Sequence, residues 1–242
     1  QATDSSSGHK ESGSSSALDV FSLQSYTFLK IFLEQNSRGG TVLDYGCGTG
    51  VHLSWLAGIF DKVVGIDLSE KSLQKAKEKI LKEKIADKVS LMVQDCEHTN
   101  FPDRSFDAVF DGGTFSSLDL ESALQEIHRL LKPGGMLAGI ETLGHNPLAN
   151  LKRSMNVSRG TRTKWAADHI VKVEDLDLMK RYFEIEQIEF FHIFSWILFP
   201  LAGYLGGKAI MRFGQIIDRL FITLLPFLKK YSFKIVFILK KK

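Results

Sequence analysis

The segment Val42-Leu43-Asp44-Tyr45-Gly46-Cys47-Gly48-Thr49-Gly50 carries three alternating glycines directly after a short apolar run. Glycines at 46, 48 and 50 let a backbone turn tightly and approach a ligand where a Cβ would collide. A helix opening just after them would offer free amides to a carboxylate or phosphate. Asp67 lies 21 residues past Gly46, at the end of the next apolar run, where a carboxylate can accept both hydroxyl protons of a ribose. Asp95 closes a third run. A nucleoside lying across these three run ends would meet all of them.

The neighbours of the glycines narrow the ligand. A nucleotide-hydrolysing loop needs Lys-Ser/Thr after its glycines, and here Val51-His52 follows. A dinucleotide loop reads G-x-G-x-x-G and leaves room for a pyrophosphate; this one reads G-x-G-x-G, with Asp44 two residues before the first glycine. That acid repels a pyrophosphate and suits an ammonium group.

The run VLDYGCGTG, followed in order by GIDLS, QDCEHTNFPDRSFDAVFD and EIHRLLKPGGMLAGIE, resembles the class I S-adenosylmethionine-dependent methyltransferases. The resemblance covers roughly residues 20–190 and is strongest to the small-molecule branch typified by quinone-biosynthesis methyltransferases. It implies S-adenosyl-L-methionine as cofactor. Its methionine end would be held by Asp44 and the Gly46, Gly48 and Gly50 backbone, and its ribose by Asp67. Leu68 would lie against the adenine, Asp95 would accept from the adenine amino group, and the Cys96 backbone would face the ring. Tyr26, on the preceding segment, and Asp111 join the cofactor-binding set.

Transfer of a sulfonium methyl needs mainly a positioned nucleophile and exclusion of water. A general base helps when the acceptor is a hydroxyl. Asp111 in FDAVFDGGTF and His145 in Gly144-His145-Asn146-Pro147 are the candidate catalytic groups, each at the end of an apolar run; His169 is a looser one. Asp111 reads equally as a loop cap and His145 as a turn histidine. His128 reads as structural. Cys47 and Cys96 sit in motif positions without metal-ligand spacing, so no metal site and no thiol nucleophile is expected.

These residues must be held by alternating strands and helices. Strands are expected at Thr41–Tyr45, Lys62–Asp67, Val89–Val93, Phe106–Phe110 and Met136–Glu141. Helices are expected from Val20, at Val51–Phe60, at Ser69–Glu83 with Ser69 as N-cap, and at Leu120–Leu131. Such alternation gives an α/β fold, and the family resemblance makes it a Rossmann-like, seven-stranded, mostly parallel sheet covered on both faces. Phe183–Phe194 and Ser232–Leu239 would supply the last two strands, the final one antiparallel, with a helical insert before it. Residues 1–16, with seven Ser, read as a disordered arm, and 17–242 as one methyltransferase domain including the insert 195–231.

Composition excludes other classes and singles out the insert. Two Cys and no secretory pattern point to a reducing, cytoplasmic setting. A net charge of +3 gives no reason to expect nucleic acid as partner. That total hides a split: residues 1–189 carry −5, whereas 190–242 carry +8 with Asp218 as the single acid. Ten of the 18 Phe lie from Phe183 onward. Residues 190–207 hold no charge over 18 positions, but Pro200, Gly203, Gly206 and Gly207 interrupt them, so a membrane span is not expected. Lys208, Arg212, Gln215 and Arg219 fall on one helical face, with Ile210, Phe213, Ile217, Leu220, Phe221, Leu224 and Leu225 over much of the rest. This pattern suits peripheral contact with an anionic membrane or an entrance for a lipophilic acceptor. A homodimer interface or a plain core element are the alternatives. Lys152, Arg153, Arg159, Arg162 and Lys164 form a basic run near the expected pocket mouth, suited to an anionic acceptor or simply solvated.

The expected function is methylation, at oxygen, of a small lipophilic or membrane-associated acceptor. The rival readings are an NAD(P)-dependent oxidoreductase and a non-catalytic cofactor-binding adaptor.

Overall fold

Strand β1 (Thr41–Tyr45) is buried from Val42 onward because it is paired in parallel on both sides. A strand covered on both faces must be continuously apolar, and Asp44 is the one exception. Its neighbours are β2 (Lys62–Asp67) and β4 (Phe106–Asp111). Outside these lie β3 (Val89–Val93) and β5 (Leu131–Thr142). The sheet ends with β7 (Lys234–Lys241) and β6 (Phe183–Phe191), in the order β3-β2-β1-β4-β5-β7-β6. β7 runs antiparallel to both neighbours, so the seven-stranded Rossmann-like sheet is the one expected. The chain reverses its direction of growth between β1 and β4. Ligands bind such sheets outside the strand carboxyl ends at that switch point.

The computed structural model describes residues 24–37, 39–160, 163–201 and 207–242. The proposed arm 1–16, the helix start at Val20, Arg162 and the break at Gly203 and Gly206 lie outside the described residues, as does the side chain of Lys208.

Two apolar layers cover the sheet. On one face α1 (Gln24–Asn36), α2 (Leu53–Ala57) and α3 (Glu70–Lys82) bury Leu29, Leu33, Leu56 and Ala76 against Val42, Val63 and Phe110. On the other, α4 (Leu120–Leu130) and α7 (Asp175–Tyr182) bury Leu124, Ile127 and Met179 against Leu43, Val109 and Phe237. Between them in sequence come α5 (Pro147–Ser158) and α6 (Lys164–Asp168). Ser69 caps α3 as expected, its Oγ accepting the Ser72 amide at 3.2 Å. The His128 ring packs beside Tyr182 and Phe183, a structural position.

Several boundaries differ from expectation. The helix expected at 51–60 is only α2, because hydrogen-bonded turns continue through Thr49–His52 and Gly58 ends it. β6 stops at Phe191, where His192 takes a left-handed φ of 64° and turns the chain out of the sheet. β7 starts two residues later than expected: the Ser232 amide donates to Lys229 O and stays in the preceding turn, while the Phe233 amide is shared between Phe191 O and His192 O at the point where β6 ends. Arg153 does not belong to a basic pocket mouth. It is buried and donates to Leu143 O at 3.0 Å and Asn150 Oδ1 at 2.6 Å, bracing the end of β5.

The insert between β6 and β7 consists of a 3-10 segment (Ser195–Leu201), α8 (Gly207–Leu224) and a second 3-10 segment (Pro226–Tyr231). α8 packs on the first segment through Met211, Gly214 and Asp218. A Cβ at Gly214 would sit 2.8 Å from Leu198 Cδ1, so the small residue sets how closely the elements approach. Among the described residues no helix is long and apolar enough to cross a membrane.

Candidate cofactor and acceptor site

The glycine loop follows β1 as the sequence requires. Gly46, Gly48 and Gly50 all have positive φ, at 72°, 53° and 76°. At Gly46 a Cβ would run into Thr114, whose Oγ1 donates to Tyr45 O at 3.0 Å. At Gly48 the requirement is of another kind. A Cβ there would meet only Asp67 Oδ2, at 4.0 Å, so the missing side chain leaves open space above the loop.

Asp67, at the end of β2, ties that loop down. Its Oδ2 accepts the Gly48 amide at 2.9 Å and its Oδ1 accepts the Ser69 amide at 2.9 Å. A carboxylate has about four lone-pair sites, so two remain for a diol. Leu68 beside it is 71% exposed. Asp95 is exposed after β3, its Oδ1 accepting the Glu97 amide at 2.9 Å. Cys96 is buried, and its carbonyl accepts from the Tyr45 hydroxyl. Burial pushes the Cys47 and Cys96 thiols up, so both are inert as nucleophiles.

Asp44 is the anomaly. It is 1% exposed, and neither carboxylate oxygen has a hydrogen-bond partner among the described residues. Burial, and then the nearby Asp67 charge, pushes its carboxyl up to about 8. Such a group is costly unless a donor arrives from outside the fold. An ammonium above the loop answers that need, and a diol answers the free side of Asp67. The residues present therefore fit an aminoacyl nucleoside.

Beyond the switch point the sheet edge changes character. Asp111, ending β4, is fully buried, and its Oδ1 accepts the Thr114 and Gly113 amides at 2.9 and 3.3 Å. Glu141, near the end of β5, is also buried, and accepts the Phe115 amide at 2.8 Å and the Thr142 amide at 3.2 Å. Burial first, and the Glu141 charge second, raise the Asp111 carboxyl; burial raises that of Glu141 against the pull of Lys234. Lys234, the first residue of β7, is held below the ordinary lysine range by burial. Its Nζ lies 5.8 Å from the Tyr26 ring centre. Tyr26, buried on α1, is pushed up to about 12 by burial and by Asp111 and Glu141. The His52 ring lies 6.0 Å from Tyr26 and 4.9 Å from Phe110, and burial lowers its imidazole to about 4.

The structure thus gathers Tyr26 and Asp111 with two groups not singled out from the sequence, Glu141 and Lys234. Glu141 carried the same signal as Asp44, Asp67 and Asp111, an acid near a strand end. Lys234 is a single cation in the apolar run SFKIVFIL, and its placement depends on the pairing Thr142↔Lys234. His145 is held apart: its Nε2 lies 2.9 Å from Glu174 Oε2 and 3.2 Å from the Val173 amide. His169 stacks on Trp165 at 3.7 Å and borders a cavity of about 160 Å³ that Phe115, Leu118 and Ile170 also line.

Comparison with known proteins bears on the domain that carries these residues. Residues 43–139 match the family model described as methyltransferase domain. The chain is 37% identical over 107 residues to the uncharacterized methyltransferase YodH of Bacillus subtilis (strain 168), covering 44% of this chain and 45% of that one. It is 38% identical over 120 residues to a demethylmenaquinone methyltransferase of Lactiplantibacillus plantarum, covering 48% of this chain and 49% of that one. The chain spans about half the length of the curated relatives it matches. In fold it is similar to the Haemonchus contortus phosphoethanolamine N-methyltransferase 2 in complex with S-adenosyl-L-methionine, with TM-score 0.62, 23% identity and coverage of 89% of this chain and 52% of that one. It is also similar to a SAM-dependent methyltransferase of Aquifex aeolicus, with TM-score 0.58, 19% identity and coverage of 91% and 90%. Residues 43–139 are thus similar to methyltransferase domains, and the expected resemblance to the S-adenosylmethionine-dependent enzymes is borne out.

Proposed function

We propose that this protein transfers a methyl group from S-adenosylmethionine to oxygen on a small, lipophilic acceptor. The observation that carries the cofactor is Asp44, a buried carboxylate with two unpartnered oxygens, beside an Asp67 with lone pairs to spare. When bound, S-adenosylmethionine supplies a sulfonium methyl already activated for in-line displacement. Asp44 holds the ammonium and Asp67 the ribose diol, while Leu68, Asp95 and the Cys96 backbone border the base. Tyr26, His52, Trp55 and Phe110 wall off water.

The Asp111–Glu141 pair supports oxygen as acceptor atom. Two buried carboxyls that repel one another hold a proton between them and accept a second from a hydroxyl as it is methylated. His145, the other candidate base, would first have to leave Glu174 and the Val173 amide, so the buried pair is the better placed. A relative named for demethylmenaquinone and the apolar insert 195–231 both favour a lipophilic acceptor taken from a membrane surface. The buried free thiols of Cys47 and Cys96 suit a reducing, cytoplasmic compartment.

The test is calorimetric titration with S-adenosylhomocysteine and, separately, with NADH. Micromolar binding of the first alone is expected. Binding of NADH instead returns the oxidoreductase reading. Binding of S-adenosylhomocysteine without transfer of labelled methyl into any organic-extractable compound of a cell lysate leaves a non-catalytic adaptor. The methyl carbon shift of a labelled product distinguishes oxygen from carbon or nitrogen.

A further inference from the structure

α8 is amphipathic the wrong way round for a helix packed on a soluble body. Its inward face carries Met211, Gly214 and Asp218, a contact face with a missing side chain and a charge at its centre. Its outward face carries Phe213, Ile216, Leu220 and Leu224, which are 65%, 66%, 55% and 67% exposed. These positions share one side of the helix at i, i+3, i+7 and i+11. Phe227, 65% exposed in the following 3-10 segment, continues the stripe. A surface helix ordinarily buries such a stripe, and contiguous exposed patches of this kind mark an interface.

Charge identifies the occupant. Arg212, Arg219, Lys229 and Lys230 are exposed around the stripe. Asp218, the single acid from residue 190 onward, points inward and is buried. Its Oδ1 accepts the Phe194 amide at 2.7 Å and its Oδ2 the Ser195 hydroxyl at 2.5 Å. The exposed surface of the described insert is therefore purely cationic around an aromatic and aliphatic ridge. We propose that α8 and the 3-10 segment after it lie in the headgroup layer of an anionic membrane, with Phe213, Ile216, Leu220, Leu224 and Phe227 inserted and Arg212 and Arg219 on the phosphates.

A chain of contacts ties this face to the site. Asp218 holds Ser195, the Ser195 hydroxyl lies 3.0 Å from His192 Nδ1, and His192 Nε2 lies 3.4 Å from the hydroxyl of Ser25 on α1. The next residue of α1 is Tyr26, whose hydroxyl feels the charges of Asp111 and Glu141. Membrane docking thus fixes the acceptor half of the sheet edge relative to the lipid surface. This orientation deepens the lipophilic-acceptor reading, whereas binding to lipid stands without it.

The test is sedimentation of the full chain with vesicles of phosphatidylcholine alone and with 30% phosphatidylglycerol. Binding is expected to the anionic vesicles, falling steeply with salt. Phe213→Ser/Leu220→Ser and, separately, Arg212→Glu/Arg219→Glu should each weaken it roughly tenfold or more. Both pairs are exposed, so unchanged thermal unfolding and S-adenosylhomocysteine binding serve as fold controls. Absence of vesicle binding by the unmodified chain overturns the proposal. So does a concentration-dependent dimer that Phe213→Ser/Leu220→Ser abolishes while the unmodified chain ignores vesicles, since the face then belongs to a second copy. Vesicle binding without S-adenosylhomocysteine binding would instead sink the methyltransferase reading and leave the membrane face standing.

Discussion

The amide of Gly48 donates a 2.9 Å hydrogen bond to Oδ2 of Asp67, joining the turn after β1 to the end of β2. The same carboxylate accepts the Ser69 amide, so one side chain positions the glycine loop, starts α3 and presents two free lone pairs upward. Asp67→Ala should therefore lose more than a ribose contact. With two charge-assisted bonds of about 1.5–3 kcal/mol each at stake, S-adenosylhomocysteine affinity should fall at least about 100-fold. Calorimetry on a variant with unchanged circular dichroism checks this, and binding within tenfold of the parent would remove Asp67 from the site.

Asp44 makes cofactor binding release protons. With its free carboxyl at about 8, the group is largely protonated at neutral pH, and an ammonium ligand must find it ionised. Binding enthalpies measured in buffers of different ionisation heat should reveal nearly one proton released at pH 7, declining above pH 8. Asp44→Asn should abolish that release and cost about 3–5 kcal/mol of affinity, the penalty for burying an ammonium without its partner.

The Asp111–Glu141 pair predicts a pH slope in stability. Both carboxyls sit above their ordinary range in the folded protein, so folding favours their protonated forms. Stability from this source is complete below the unfolded carboxylate range and is lost as pH rises through the raised folded values. Urea unfolding between pH 4 and pH 8 should show the decline, and Glu141→Gln should flatten it. The same variant should slow methyl transfer by roughly 100-fold or more while keeping S-adenosylhomocysteine binding, as expected of a lost proton acceptor.

His192 gives the insert the opposite dependence. Burial lowers its imidazole to about 4, below the ordinary value near 6.5, so the fold prefers it neutral. Its contribution is present above the unfolded value and is lost as pH falls through the window from about 6.5 to 4. Hydrogen exchange in α8 should accelerate from pH 7 to pH 5 relative to that in β1. His192→Gln, which keeps a polar link to Ser195 without a titrating ring, should remove the difference.

The two halves of the sheet edge were unequally legible in the sequence. Asp44, the glycines and Asp67 could be placed because strand, turn and helix follow one another locally, and each position is fixed by its distance from the turn. Glu141 and Lys234 meet through the antiparallel pairing of β5 with β7, and nothing near Lys234 reports its register. The helix that the spacing predicts over 51–60 is too long for a related reason: hydrophobic spacing continues through Val51, but the loop's own turns claim the backbone through His52. The insert's helical periodicity was legible, whereas which side faced inward was not. Gly214 and Asp218 reveal that only when Ser195 and Leu198 are set against them.

β6 and β7 are adjacent in the sheet, with Phe191 opposite Lys234, yet residues 192–233 separate them in the chain. Two strands in register need only a short turn between them, so the insert is a long excursion whose ends are pinned side by side. The entropy of closing such a loop grows slowly with its length, which lets one excursion be exchanged for another with little effect on the sheet. If the insert selects the acceptor as proposed, acceptor choice and cofactor chemistry are modular in the covalent sense. On the proposed reading, grafting a different connection between Phe191 and Lys234 would change the acceptor while the glycine loop, Asp44 and Asp67 stay as they are.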